Sequence, residues 1–72
     1  MKSIYKKSQI ITNIEELYNY FIKNIAPSED SYEYTLINMH NNKQIIVNEN
    51  TIKTHFKLTT NELMQKVQKA HK

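Results

Sequence analysis

The sequence contains no cysteine and no glycine. Without cysteine, the chain can form neither disulfide bonds nor thiolate metal sites. Without glycine, it cannot form the glycine-rich loop that cradles the phosphates of a nucleotide, and it has no nucleophile elbow. The histidines His40, His55 and His71 lack the paired spacing of metal ligands. We therefore expect a protein that is not an enzyme and that binds no metal or cofactor.

Arginine is also absent, since all ten basic residues are lysines. Arginine makes the strongest bidentate contact to guanine, so any reading of DNA bases must use asparagine, glutamine, lysine or threonine. Asparagine, lysine, isoleucine and tyrosine, whose codons are AT-rich, make up 34 of the 72 residues. This bias indicates an AT-rich genome, and we expect a low-GC bacterium, or its phage or plasmid, as the source.

Long apolar runs are missing as well. No segment approaches the about 20 consecutive apolar residues that cross a bilayer. The N-terminal segment MKSIYKKSQIIT lacks the apolar stretch of about 7–15 residues that is typical of a signal peptide. We therefore expect a cytoplasmic protein with no membrane partner.

The length of the chain limits its core. Of the 72 residues, 39% are hydrophobic. A chain of this length buries only about 60% of the surface that its unfolded state exposes. We therefore expect one small domain over residues 1–72 with a thin core. Partner binding or formation of a homodimer would add the apolar burial that the monomer lacks.

Charge is distributed unevenly along the chain. Ten lysines and seven acidic residues give a net charge of +3 and an isoelectric point near 9.2. The lysines concentrate at the two ends, whereas five of the seven acidic residues fall between positions 15 and 33. Basic groups that are separated from acidic ones in this way favour contact with a polyanion.

The N-terminal third predicts a strand over residues 3–11 and then an amphipathic helix. Thr12 and Glu15 have the spacing of a capping box that opens a helix. The apolar residues that follow recur at helical spacing, namely Ile14, Leu17, Phe21 and Ile25. Pro27 ends the predicted helix, because the residue before a proline is disfavoured in the α region.

The middle of the chain predicts a β-hairpin. Residues 32–40 and 44–48 favour strands, and Asn41 and Asn42 between them tolerate the positive φ of a tight turn. Two registers remain open. A three-residue loop places Ile37 and Met39 against Ile45 and Val47, whereas a two-residue loop pairs Ile37 with Ile46 and Leu36 with Val47.

The C-terminal third predicts a helix over residues 60–70, opened by a capping box of Thr59 and Glu62. Residues 49–56 fit either a short helix capped by Asn48 or Asn50, or an extension of the hairpin strand. The predicted fold is therefore a small α+β domain. It comprises an N-terminal strand and amphipathic helix, a central β-hairpin and a C-terminal helix, which the short helix would precede.

The C-terminal helix predicts a DNA-contacting surface. Leu63, Val67 and Ala70 mark its buried side, and the amides opposite them can form bidentate hydrogen bonds with adenine. The lysines nearby can meet phosphates or guanine. The predicted DNA-binding residues are Thr60, Asn61, Gln65, Gln68, Lys57, Lys66, Lys69 and Lys72. A solvated helix surface has the same composition, so that interpretation also stays open.

Residues 51–69, TIKTHFKLTTNELMQKVQK, carry a family resemblance. Phe56 would end a first helix, Leu58 and the cap Thr59 would form the turn, and Leu63 follows four residues later. In this pattern the segment resembles the helix-turn-helix superfamily of DNA-binding proteins. The resemblance implies a second helix that enters the major groove of double-stranded DNA, supported by the segment 13–25. Lys57 departs from the pattern, because glycine is common at this position.

Two other functions remain open. A phage- or plasmid-type module could inhibit or modulate a host protein through its β-hairpin or a tyrosine-rich surface, because an open strand edge binds by main-chain hydrogen bonds alone. The predicted interface residues are Tyr32, Tyr34, Asn41 and Asn42. Tyr32 and Tyr34 could instead stack on the bases of RNA or of a single strand. A helix over 49–56 favours contact with DNA, and a strand there favours the other two.

Overall fold

The structure is a computed structural model that describes residues 3–71. It is a small α+β domain, as the sequence predicts. The elements are β1 (Ile10–Asn13), β2 (Tyr18–Ser28), β3 (Ser31–Asn38), β4 (Gln44–Asn48), α1 (Glu49–His55), β5 (Phe56–Leu58) and α2 (Asn61–Ala70). The strands form one antiparallel sheet in the order β4-β3-β2-β1-β5. Within residues 3–71, neither helix has the length and apolar character required to cross a membrane.

The predicted N-terminal helix is wrong, because the segment 12–25 forms a β-hairpin. β1 and β2 pair antiparallel and are joined by a turn over residues 14–17. The side-chain oxygen of Asn13 accepts the backbone N–H groups of Glu15 and Glu16, each at 2.9 Å. These two bonds close the turn locally and compete with helix formation. Leu17 completes it with a φ of 59°.

Burial alternates with the two-residue period of a strand around Tyr20 and Ile22 in β2. Tyr20 and Ile22 are buried, whereas Ile14 of the predicted helical stripe is 37% exposed. Tyrosine, phenylalanine and isoleucine favour extended structure. Thr12 lies in β1, so the predicted capping box does not form, and Pro27 lies within β2 opposite Tyr32. The predicted strand over 3–11 is also limited to its last two residues, at the start of β1.

The central hairpin is confirmed in β3 and β4. Its connection spans residues 39–43, and Asn42 adopts the positive φ expected there, at 62°. The register pairs Leu36 with Ile45 and Ile37 with Gln44, so neither predicted register is correct. The side chain of Asn38 favours the longer loop, because its oxygen accepts the N–H groups of His40 and Asn41 at 2.8 and 3.3 Å.

The predicted C-terminal helix is present, and a short helix precedes it with a strand between the two. The side-chain oxygen of Asn48 accepts the N–H of Thr51 at 2.9 Å and so caps α1. Of the two alternatives for residues 49–56, the helix is therefore confirmed as far as His55. β5 then pairs with β1. The cap of α2 is Thr60, whose hydroxyl accepts the N–H of Leu63 at 3.2 Å. The predicted capping box at Thr59 is therefore misplaced by one residue.

The core lies on one face of the sheet. Directly opposed residues in an antiparallel pair point to the same face, and the pairing sets Ile11 opposite Tyr20 and Ile22 opposite Leu36. α1 covers this face with Ile52, and Tyr5 packs against it from the N-terminal segment. The buried apolar residues are Ile11, Tyr20, Ile22, Tyr34, Leu36, Ile52 and Phe56.

The buried carboxylate of Glu49 ties the core to its cover. It accepts hydrogen bonds from the hydroxyls of Tyr34 at 2.8 Å and Ser31 at 3.1 Å, and from the backbone N–H of Ile4 at 3.3 Å. The bond from Tyr34 is the main reason that the pKa of this carboxyl lies below its ordinary value, although burial opposes the shift. Burial in turn raises the pKa of Tyr34, and the neighbouring carboxylate adds to that effect.

The two-residue turn between β2 and β3 allows a test of backbone strain. Glu29 has a φ of 36°, and a positive φ at the first turn position is characteristic of a type II′ turn, which favours glycine. We expect Glu29→Gly to raise the free energy of unfolding by up to about 1 kcal/mol, measured by thermal unfolding. The matched control is Asp30→Gly, which removes the same charge where φ is not positive, and should be destabilising. Equal effects of the two variants would contradict the assignment of strain to Glu29.

Candidate nucleic-acid interface

α2 is a ten-residue helix that lies at the surface and buries none of its residues. Leu63 and Val67 are half-buried and form the docked side, as predicted, whereas Ala70, which was predicted on the same side, is exposed. Asn61, Gln65 and Gln68 are exposed. The structure therefore brings the three predicted base-reading amides together on the solvent side of one helix.

The predicted lysines that lie within the described residues are also exposed. Lys66 and Lys69 lie on α2, and Lys57 lies in β5 immediately before it. The Nζ atom of Lys66 is 3.8 Å from the carboxylate of Glu62, but both side chains are more than half exposed, so this pair is weak. Lys57 has the extended backbone of a strand, which a lysine adopts without strain. Lys72 lies outside the described residues.

The start of α2 is fixed to the sheet by the residues that precede it. The N–H of Thr59 donates to the carbonyl of Ile10 at 3.1 Å. The hydroxyls of Thr59 and Thr12 are 2.8 Å apart, and Thr12 donates its own proton to Asn19 at 2.7 Å. Thr59 is therefore the donor to Thr12. Thr60 then uses its hydroxyl for the helix cap, although it remains exposed.

The end of α2 rests on aromatic rings that the sequence did not single out as a group. His71 stacks on Tyr18, with ring centroids 4.0 Å apart and an angle of 7° between the ring planes. The ring centroid of His40 lies 5.4 Å from that of His71 and 5.5 Å from that of Tyr18. One nitrogen of the His71 ring also lies 3.4 Å from the carbonyl oxygen of Glu16, within reach for an N–H donor. These residues are far apart in the sequence, and the β1–β2 turn and the β3–β4 loop bring their rings together only in the fold. No spacing in the sequence therefore indicates this cluster.

The residues of the alternative protein interface have different environments. Asn41 and Asn42 are exposed in the β3–β4 loop. Tyr32 is half-buried, whereas Tyr34 is fully buried and bound to Glu49, so its ring offers no surface for a partner or for a base. The hairpin instead presents β4, which is an outer strand of the five-stranded sheet.

The remaining polar groups include one surface contact and one open cleft. Among residues 3–71, no group of three or more histidine, aspartate or glutamate side chains is arranged to hold a metal ion. His55 contacts the carboxylate of Glu15 at the surface. An open cleft of about 480 Å³ lies at the β2–β3 turn and is lined by Pro27, Glu29, Asp30, Ser31 and Tyr32. Its acidic rim disfavours a polyanion.

No protein-family model, no curated protein and no solved structure matches this chain. The resemblance of residues 51–69 to helix-turn-helix proteins thus stays a prediction, and two features that it implies differ in the structure. Phe56–Leu58 is a strand where the resemblance implies a helix end and a turn, and the segment 13–25 is part of a β-hairpin where it implies a supporting helix. Any function proposed for this protein therefore depends on the residues and contacts described above.

The stacked ring of His71 generates a prediction about α2. We expect His71→Ala to speed amide hydrogen exchange several-fold over residues 67–70, because an aromatic stack contributes about 0.5–1.5 kcal/mol. Exchange in the sheet and in α1 should not change. The matched control is Gln68→Ala, which truncates an exposed side chain on the same helix. If His71→Ala leaves exchange in α2 at the level of the control, the stack does not hold the helix.

Proposed function

We propose that this protein is a small, non-enzymatic DNA-binding regulatory protein that contacts double-stranded DNA through α2. The observation that supports this proposal most directly is the exposure of Asn61, Gln65 and Gln68 on a helix that is docked by its opposite side. The helical conformation of Glu49–His55 is also the outcome that favours DNA contact over the alternatives.

The dimensions of α2 suit the major groove. An α-helix with its side chains is about 10–12 Å across, and the groove is about 12 Å wide. The eight residues from Asn61 to Gln68 are separated by seven helical steps of about 1.5 Å, so they rise about 10 Å, which is the height of about three base pairs. Asparagine and glutamine can pair with the N6 and N7 atoms of adenine, so the helix should prefer A·T base pairs.

The charges near α2 suit contact with the DNA backbone. Lys57, Lys66 and Lys69 are exposed and lie on α2 or directly before it. Each lysine that neutralises a phosphate contributes about 0.9 to the slope of log affinity against log salt. Three such contacts give a slope of about 3, so binding should be modest and strongly dependent on salt.

A second candidate function is binding of a host protein through the β-hairpin. The open edge of β4 and the exposed side chains of Asn41 and Asn42 favour it. The burial of Tyr34 disfavours a tyrosine-rich contact surface. A partner of this kind would bind mainly to the backbone of β4, and such binding would survive nuclease treatment.

The proposed function is tested by fluorescence anisotropy with labelled AT-rich and GC-rich duplexes over a salt series that starts at about 50 mM. We expect Lys69→Ala to weaken binding to both duplexes alike and to reduce the salt slope by about 1. We expect Gln65→Ala to reduce the preference for the AT-rich duplex, by up to about 1–3 kcal/mol for a lost bidentate contact.

The control for these variants is Lys53→Ala, which removes an exposed lysine from α1 instead of α2. It should leave the salt slope unchanged. The absence of detectable binding at about 50 mM salt would contradict the proposal, because nonspecific affinity is strongest at low salt. A loss for Lys53→Ala equal to that for Lys69→Ala would exclude α2 as the contact surface.

A further inference from the structure

The outer edge of β4 is open. β4 pairs with β3 on one side, and within residues 3–71 no strand pairs with its other side. Natural edge strands are usually protected by short length, charged residues, proline or a bulge. β4 has five residues, none of them charged and none a proline, and Ile46 at its centre is 63% exposed. The opposite edge, β5, has only three residues, with Lys57 in the middle.

The hydrogen-bonding groups on this edge can be assigned from the β3–β4 pairing. The N–H of Asn38 donates to the carbonyl of Lys43. Because bonded and non-bonded pairs alternate along an antiparallel ladder, Ile45 and Val47 direct their backbone groups towards β3. The N–H groups of Gln44, Ile46 and Asn48 and the carbonyl groups of Gln44 and Ile46 therefore point outwards, available to another strand.

The sequence of β4, QIIVN, is complementary to itself in the antiparallel direction. When Ile46 lies opposite Ile46 of a second copy, Gln44 lies opposite Asn48 and Ile45 lies opposite Val47. Every pair then matches amide with amide or apolar with apolar. This register also joins the outward backbone groups of one copy to those of the other, because Gln44, Ile46 and Asn48 occupy the bonded positions.

The residues that flank β4 carry charges of opposite sign. Lys43 precedes the strand and Glu49 follows it. In the register centred on Ile46, Lys43 of each copy lies at the level of Glu49 of the other copy. The Glu49 carboxylate remains bound to Tyr34, so this is attraction between opposite charges across the edge and not a direct salt bridge. A parallel arrangement would instead bring like charges together.

We propose that two copies of this chain associate antiparallel through β4, centred on Ile46, into a dimer with one continuous ten-stranded sheet. Asn48 is the N-cap of α1, so its carbonyl accepts the first hydrogen bond of the helix and is not available to the second copy. Four main-chain hydrogen bonds across the edge remain. Two join the Ile46 residues, and two run from the N–H of Asn48 to the carbonyl of Gln44. The dimer would also bury the exposed side chain of Ile46, and it does not depend on the binding of DNA.

The oligomeric state tests this proposal. Light scattering over a concentration series should give a mass of about twice the 8.6 kDa of one chain for the wild-type protein. Ile46→Lys should give the mass of one chain, because it sets two like charges against each other at the dimer axis. Ile46→Pro should do the same while keeping the fold, since it removes only an outward-facing N–H on an edge strand.

The matched control is Met39→Lys, which replaces another exposed apolar residue by lysine in the β3–β4 loop, away from β4. It should remain dimeric. Circular dichroism and thermal unfolding show whether each variant is folded. A monomeric wild-type protein at all concentrations would overturn the proposal and leave β4 to a different protein. A dimer that persists in folded Ile46→Lys and Ile46→Pro would also overturn it.

The register is tested by cross-linking, because the chain has no native cysteine. Bonded antiparallel pairs have Cα atoms about 5.5 Å apart, within the range that a disulfide spans. Ile46→Cys should therefore form a disulfide-linked dimer under mild oxidation. Ile45→Cys should do so far less, because the residue opposite it is Val47. Equal cross-linking of the two variants would contradict the register centred on Ile46.

Discussion

The hydrogen bonds to the Glu49 carboxylate hold together segments that are far apart in the sequence. They join the first turn of α1 to Tyr34 and Ser31 of β3 and to the backbone of Ile4. A buried carboxylate is tolerated only where such donors replace water. With one thin core on one face of the sheet, the position of α1, and hence of Ile52, depends on this site. The placement of α1 also affects β5, which begins directly after it at Phe56.

The groups proposed for binding lie outside the buried core. α2 buries none of its residues and is held by the ring of His71 and by the threonines at its start, so its amides and lysines stay in solvent. β4 lies at the edge of the sheet and offers backbone groups instead of side chains. The proposed contacts with DNA and with a second copy thus use mainly exposed groups, although Glu49 of the anchor directly follows β4.

Local chemistry made part of this structure predictable. The turn at Asn42, the Asn48 cap and the C-terminal helix each follow from a few neighbouring residues. The segment 12–25 was mispredicted because its apolar residues fit both the helical period and the alternation seen at Tyr20 and Ile22, and the bonds of Asn13 to the turn favour the strand. The exposed amides of α2 were predictable from helical spacing. The stack beneath its end was not, since it joins residues that only the fold brings together.

The anchoring role of Glu49 is tested most directly by the pH dependence of unfolding. Because the folded-state pKa lies below the unfolded one, the carboxylate stabilises the fold above the unfolded pKa, and this contribution is lost as the pH falls through the folded value. Between about pH 6 and about pH 3, the wild-type protein should therefore lose stability, and Glu49→Gln should be less stable at pH 6 with a flatter profile. Glu33→Gln, which removes an exposed carboxylate from β3, should follow the wild-type curve. An unchanged acid profile in Glu49→Gln would contradict the anchor.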